Sequence, residues 1–198
     1  MEALKHAAGI APECGQVWTI LGRLYGQIYS LELPGFENTL GKAVTYAEKG
    51  VQLNPDNQQA RGAMVFIRMR CNEIPAELSE LEHALALNVN SLFMLDSIGY
   101  FMTLLGEWER GAALIRKVIK LNPYYANYVH YALWVNWIRQ EKYEEAYLET
   151  QNLKTPALFW DHLAKAASLC PGKLRCKKFL ARRYHSVLMY VFCQSSDR

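Results

Sequence analysis

Five histidines, His6, His83, His130, His162 and His185, are the side chains best suited to acid–base or metal chemistry, and their spacing supports neither. No two stand in an HExxH arrangement, which would turn both rings toward one zinc ion from a single helix face. The five cysteines, Cys14, Cys71, Cys170, Cys176 and Cys193, are odd in number and include no CxxC pair. They argue for neither a zinc site nor a disulfide framework, and reduced thiols in a cytoplasmic protein are the expectation. No GxxxxGK[ST] or GxGxxG run offers its backbone N–H groups to a phosphate. The acids Glu107, Glu109, Glu144, Glu145 and Asp161 fall on what read as solvated helix faces, not as a facing pair for proton transfer. These residue types predict no enzyme, no metal and no cofactor, and a stand-alone hydrolase is the least favoured reading.

The information lies instead in periodicity. In the stretch from Ser91 to Pro123, SLFMLDSIGYFMTLLGEWERGAALIRKVIKLNP, Leu95, Ile98, Gly99 and Met102 share one face at helical spacing. Gly106 interrupts the pattern, and Trp108, Gly111, Ile115 and Val118 form a second face before Pro123 stops it. The stretch therefore predicts a helical hairpin. Its end, Leu121-Asn122-Pro123, recurs 34 residues earlier as Leu87-Asn88-Val89 and again as Leu53-Asn54-Pro55. A fixed period of this kind signals stacked copies of one supersecondary unit.

Earlier in the chain, Trp18, Leu21, Gly22 and Tyr25 follow the spacing W-x2-L-G-x2-Y, and Ala43, Ala47, Gly50 and Pro55 complete the unit. Pro12 and Pro55 are nine residues further apart than one period, and the insertion is expected at Ser30–Leu40, where Pro34-Gly35 makes a turn. In the next unit Met64 takes the Leu21 offset, while Val65 and Arg68 replace the small and the aromatic residue. Asn72 suits its turn and Pro75 the first turn of a helix, with Leu81 and Ala84 continuing the seam. Tyr143 and Ala146 come one residue late, so one extra residue is expected near Tyr124–Tyr128. That count gives Leu133 and Trp137 the buried offsets and puts Trp134 where a small residue is expected. Residues 157–169 predict a further helix starting near Trp160, with Leu163, Ala164 and Ala167 inward.

Of the 198 residues, 51% are apolar, enough for a sizeable core in an all-α fold. The N-terminus MEALKHAAG has no signal-peptide pattern, and no apolar run approaches the ~20 residues that span a bilayer. Charge is segregated: residues 1–170 hold 15 Lys/Arg against 18 Asp/Glu, and residues 171–198 hold 7 against 1. The expected division is a helical repeat domain over 1–170 and a basic tail over 171–198. In the tail, Phe179, Leu180, Tyr184, Val187, Leu188 and Val191 are spaced as one helix face flanked by arginines and lysines. Three readings stay open for it: an end helix over the last repeat, a surface for anionic lipid or nucleic acid, and a disordered or aberrant end.

With its 34-residue ladder and the Trp18–Tyr25 motif, the chain resembles the tetratricopeptide repeat over about residues 1–169. The resemblance implies a right-handed superhelical solenoid of antiparallel helix hairpins, about four to five repeats long. The small residues Gly22, Ala43, Gly50, Ala84, Gly99 and Gly111 would let helix axes approach. Leu4, Ala7 and Pro12 match the second helix of a repeat whose first helix is absent, which suggests a fragment of a longer polypeptide or an end that docks elsewhere. In this family the first helices line a groove that receives a peptide or partner helix. Carried over, the groove positions are Gln16, Thr19, Arg23, Gln59, Phe66, Met69, Phe93, Asp96, Tyr100 and Thr103, with Tyr128, Tyr131 and Trp134 beyond them. The family's clamp for a C-terminal carboxylate is not matched, because Thr19 with Arg23 and Asp96 with Tyr100 stand at its positions.

The resemblance thus implies a non-catalytic interaction scaffold with a protein or peptide partner. Nucleic acid is not the expected partner; the basic tail offers the only route to membrane contact, and the half-repeat offers one to self-association. An alternative reading is a regulatory or sensory portion of a larger signalling protein. The LNP turns and the HLAKAASL segment resemble the repeat regions of bacterial nucleotide cyclases and transcription regulators.

Overall fold

The computed structural model describes residues 1–71, 77–154 and 159–169, leaving aside the side chains of Glu77, Phe159 and Trp160. The expectations for Asn72, Pro75, Cys170, Cys176, Cys193 and the 171–198 tail lie outside the described residues. Among the described residues the chain is all-helical, with no strand. The helices are α1 (Glu2–Ile10), α2 (Gly15–Ser30), α3 (Thr39–Leu53), α4 (Gln58–Cys71), α5 (Glu77–Leu87), α6 (Leu92–Leu104), α7 (Trp108–Leu121), α8 (Val129–Arg139), α9 (Tyr143–Thr150) and α10 (Phe159–Leu169). The chain divides into two compact units, Met1–Met94 and a second beginning at Leu95. None of the described helices is long and apolar enough to cross a membrane. Cys14 is a free thiol.

In the first unit, α2 packs on α3 and α4, α4 on α3 and α5, and α1 on α2. Glycine lets α2 and α3 run antiparallel at close range. A Cβ on Gly22 would lie 2.9 Å from the Ala47 nitrogen, and one on Gly15 would lie 3.1 Å from the Gly50 oxygen. Around this seam Leu21, Tyr25, Ile28, Ala43, Ala47, Met64 and Ile67 form a buried core, edged by Trp18, Leu24 and Phe66. Trp18 Nε1 also donates to the Pro12 carbonyl at 2.8 Å, which fixes the turn between α1 and α2. The inserted loop falls at residues 31–38, as the spacing predicts, and Gly35 turns it with φ +84°.

In the second unit, α6 and α7 meet through Gly99 and Gly111. A Cβ on Gly99 would approach the Gly111 oxygen to 2.9 Å and Leu114 Cβ to 3.0 Å. α8 packs on α7, α9 and α10, and α9 packs on α10. Two buried clusters result. Ala112, Ile115, Val129, Ala132 and Leu133 form one between α7 and α8, and Trp134, Val135, Ile138, Ala146, Leu153, Ala164 and Ala167 form the other beside α9 and α10. α7 and α9 begin 35 residues apart, whereas α4 and α6 begin 34 apart, so the slip in register lies between Leu121 and Val129.

Three hairpins end their first helix in the same way. Glu32, Gly106 and Glu141 take left-handed φ values of 51°, 100° and 59°. The next residue in each case bonds five residues back: Leu33 to Ile28, Glu107 to Met102 and Lys142 to Trp137, at 2.9–3.1 Å. This is the Schellman pattern, which satisfies carbonyls the helix end leaves without a partner.

Candidate functional site

The positions expected to line a groove lie on the first helices of the pairs, and the two units use them differently. In the first unit these helices are α2 and α4. Gln16 and Gln59 meet across them, Gln16 Nε2 donating to Gln59 Oε1 at 2.6 Å, and Asn57 donates to Gln16 Oε1 at 3.4 Å. Further along, Gly26 lies against the Phe66 ring, where a Cβ would come within 2.7 Å of Cε1. The Arg70 guanidinium covers that ring at 3.9 Å and donates from Nε to Ser30 Oγ at 2.9 Å. Arg23, Gln59 and Phe66 remain half-open to solvent. Thr19 and Met69 are buried at 2% exposure, Thr19 donating to the Gly15 carbonyl beside Gly50. Phe93, at the start of α6, is 60% exposed.

In the second unit the groove positions tie helices together. Asp96 accepts from both the backbone and the hydroxyl of Ser97. Ser97 Oγ lies 2.8 Å from the Tyr128 hydroxyl, and the Tyr128 ring meets Tyr100 edge-on at 5.1 Å. Loss of water around the Tyr128 hydroxyl, reinforced by the Asp96 carboxylate, raises its pKa above the usual tyrosine range. On the other side of α8, Tyr131 donates to the Asp161 carboxylate and Trp134 Nε1 to Ser168 Oγ at 2.9 Å. Thr103 is fully buried and donates to the Gly99 carbonyl at 2.8 Å, filling the space opposite Gly111.

Asp161 corrects the expectation of a solvated acid. It is 2% exposed, because α10 presents it to the Tyr131 hydroxyl on α8. Glu109, Glu144 and Glu145 are exposed, as expected. The polar partners that periodicity did not single out are Ser97, Tyr125, His130, Glu149 and Ser168. For one of them a signal was present: Ser168 stands one full period after Trp134, the equivalent place on the next first helix.

His130 sits between Glu149, which faces Nδ1, and the Tyr125 hydroxyl, 3.0 Å from Nε2. Glu149 also accepts from Trp137 Nε1 at 3.3 Å. The order Tyr–His–carboxylate is that of a proton relay. Here the ring is 3% exposed and both nitrogens are occupied, so it ties α9 to the turn before α8. Among the described residues no three or more His, Cys, Asp or Glu side chains gather as metal ligands. No family model matches this chain, and a search of curated proteins finds no match either.

Proposed function

We propose that the chain is a non-catalytic interaction scaffold, in which helix pairs stack as tetratricopeptide-like repeats into a right-handed superhelical solenoid. Its first helices then present a face that holds an extended peptide or a partner helix. The observation that carries this reading is the pairing of α2 and α4. They lie side by side and leave Gln16, Arg23, Gln59 and Phe66 half-open along one face. Amides, a guanidinium and an aromatic ring together suit a peptide, whose backbone needs donors and acceptors and whose side chains need a pocket.

Selection of a displayed random-peptide library on the full chain tests the proposal. The expected result is a set of sequences that share a motif and bind in the micromolar range or tighter. Recovery of no sequence above the level of an unrelated helical carrier would sink it.

A further inference from the structure

Two helices of the first unit carry arginine as their only charged residue. α2 has Arg23 and no acid; α4 has Arg61, Arg68 and Arg70 and no acid. Arg61 pairs with Glu80 at 2.7 Å, Arg70 stacks on Phe66 and bonds Ser30, and Arg68 is also engaged. Arg23 differs. It is half-buried and has no hydrogen bond, ion pair or ring contact among the described residues. A guanidinium with no partner in its own chain keeps its five donors for another, and a carboxylate answers it with two parallel hydrogen bonds.

The position of Arg23 says what kind of carboxylate. Along α2 it lies two turns after Gln16, which bonds Gln59, and one turn before Gly26, which lies against Phe66. Along this face of α2, residue 23 therefore stands between a pair of amides and an aromatic ring. A ligand that uses both continues past Arg23 in both directions, so an internal side chain fits better than a chain end. Arg23 and Gly26 are separated by about 4.5 Å of helix rise, while same-face residues of an extended peptide are about 6.6 Å apart. The nearest match is an acidic residue with an apolar residue two positions away.

Deepening the scaffold reading on which it rests, we infer that the α2–α4 face binds an extended peptide through an internal Asp or Glu. The carboxylate sits on Arg23, an apolar side chain two residues away lies on Phe66, and Gln16 and Gln59 bond the peptide backbone.

The test is parallel selection of one phage-displayed library, with peptides held internally in the coat protein, on the full chain and on its Arg23→Glu variant. The wild-type pool is expected to be rich in Asp or Glu with an apolar residue two positions away. The Arg23→Glu pool should replace that acid by Lys or Arg. An end-capped synthetic peptide from the first pool should bind Arg23→Gln about tenfold more weakly than wild type, as loss of one half-buried charge pair implies. Arg23→Lys should fall between them, with far-UV circular dichroism unchanged in all variants. Peptides selected without an acid, or identical pools from wild type and Arg23→Glu, would overturn the inference and leave the scaffold reading standing. Failure to select any peptide would overturn both. Tighter, Arg23-dependent binding of a labelled oligothymidine would assign the face to nucleic acid and overturn the inference as well.

Discussion

Phe93 and Tyr100 stand two helical turns apart on α6, yet they differ in what they have left to offer. Phe93 is 60% exposed, while Tyr100 meets the Tyr128 ring edge-on and packs against the cluster around Ala112 and Ile115. Phe93→Ala should therefore leave urea-unfolding stability within about 0.5 kcal/mol of wild type. Tyr100→Ala should cost about 1–3 kcal/mol through lost area and the edge-on ring contact. Equal effects of the two substitutions would contradict this division. Tyr128 gives a pH prediction. Its hydroxyl has a folded pKa raised above the ordinary value of 10.0. The stability carried by that proton is fully present below about pH 10 and is lost as the pH rises toward the folded value. Thermal melts from pH 9 upward should show Tyr128→Phe losing less stability above about pH 10 than wild type does. Parallel curves would mean that the hydroxyl makes no difference to the folded state.

At the scale of elements, helix contacts and caps decide stability. A tryptophan at Gly99 has no room against the Gly111 oxygen and Leu114, so overpacking in Gly99→Trp should cost about 1–3 kcal/mol and lower the melting temperature. An unchanged melting temperature would refute the placement of α6 on α7. The shared cap predicts opposite signs at two equivalent positions. Gly106→Ala forces a Cβ into left-handed backbone and should cost about 1 kcal/mol, whereas Glu141→Gly relieves the same strain and should gain about 0.5 kcal/mol. Urea midpoints at constant slope would read both. That the chain places a glycine at one turn and glutamates at the other two shows that position, more than residue type, sets this cap.

For the whole molecule, the proposed superhelical stacking predicts an elongated small-angle scattering profile, and the profile of a compact sphere would end that proposal. The helix pairs themselves were legible in the chain: Leu21, Tyr25, Ala43 and Ala47, or Ile98, Gly99, Gly111 and Ile115, mark their seams because helical spacing repeats every few residues and needs only local order. The insertion at 31–38 and the slip after Leu121 could be read for the same reason, since each shifts a count along the chain. The state of each groove position could not. Periodicity assigns Phe93, Asp96, Thr103 and Trp134 to comparable positions; whether each is open or spent depends on what the neighbouring helix sets opposite it. Thr103 is spent on Gly99 and Gly111, Trp134 on Ser168 and Tyr131 on Asp161, while Arg23 meets no partner among the described residues. Sequence alone determined which residues share a helix face, because that follows from 3.6 residues per turn. Only the tertiary structure decided which of them still have a free hydrogen-bonding group or ring, because that depends on what the neighbouring helix brings opposite them, from Gly111 eight residues beyond Thr103 to Ser168 thirty-four beyond Trp134.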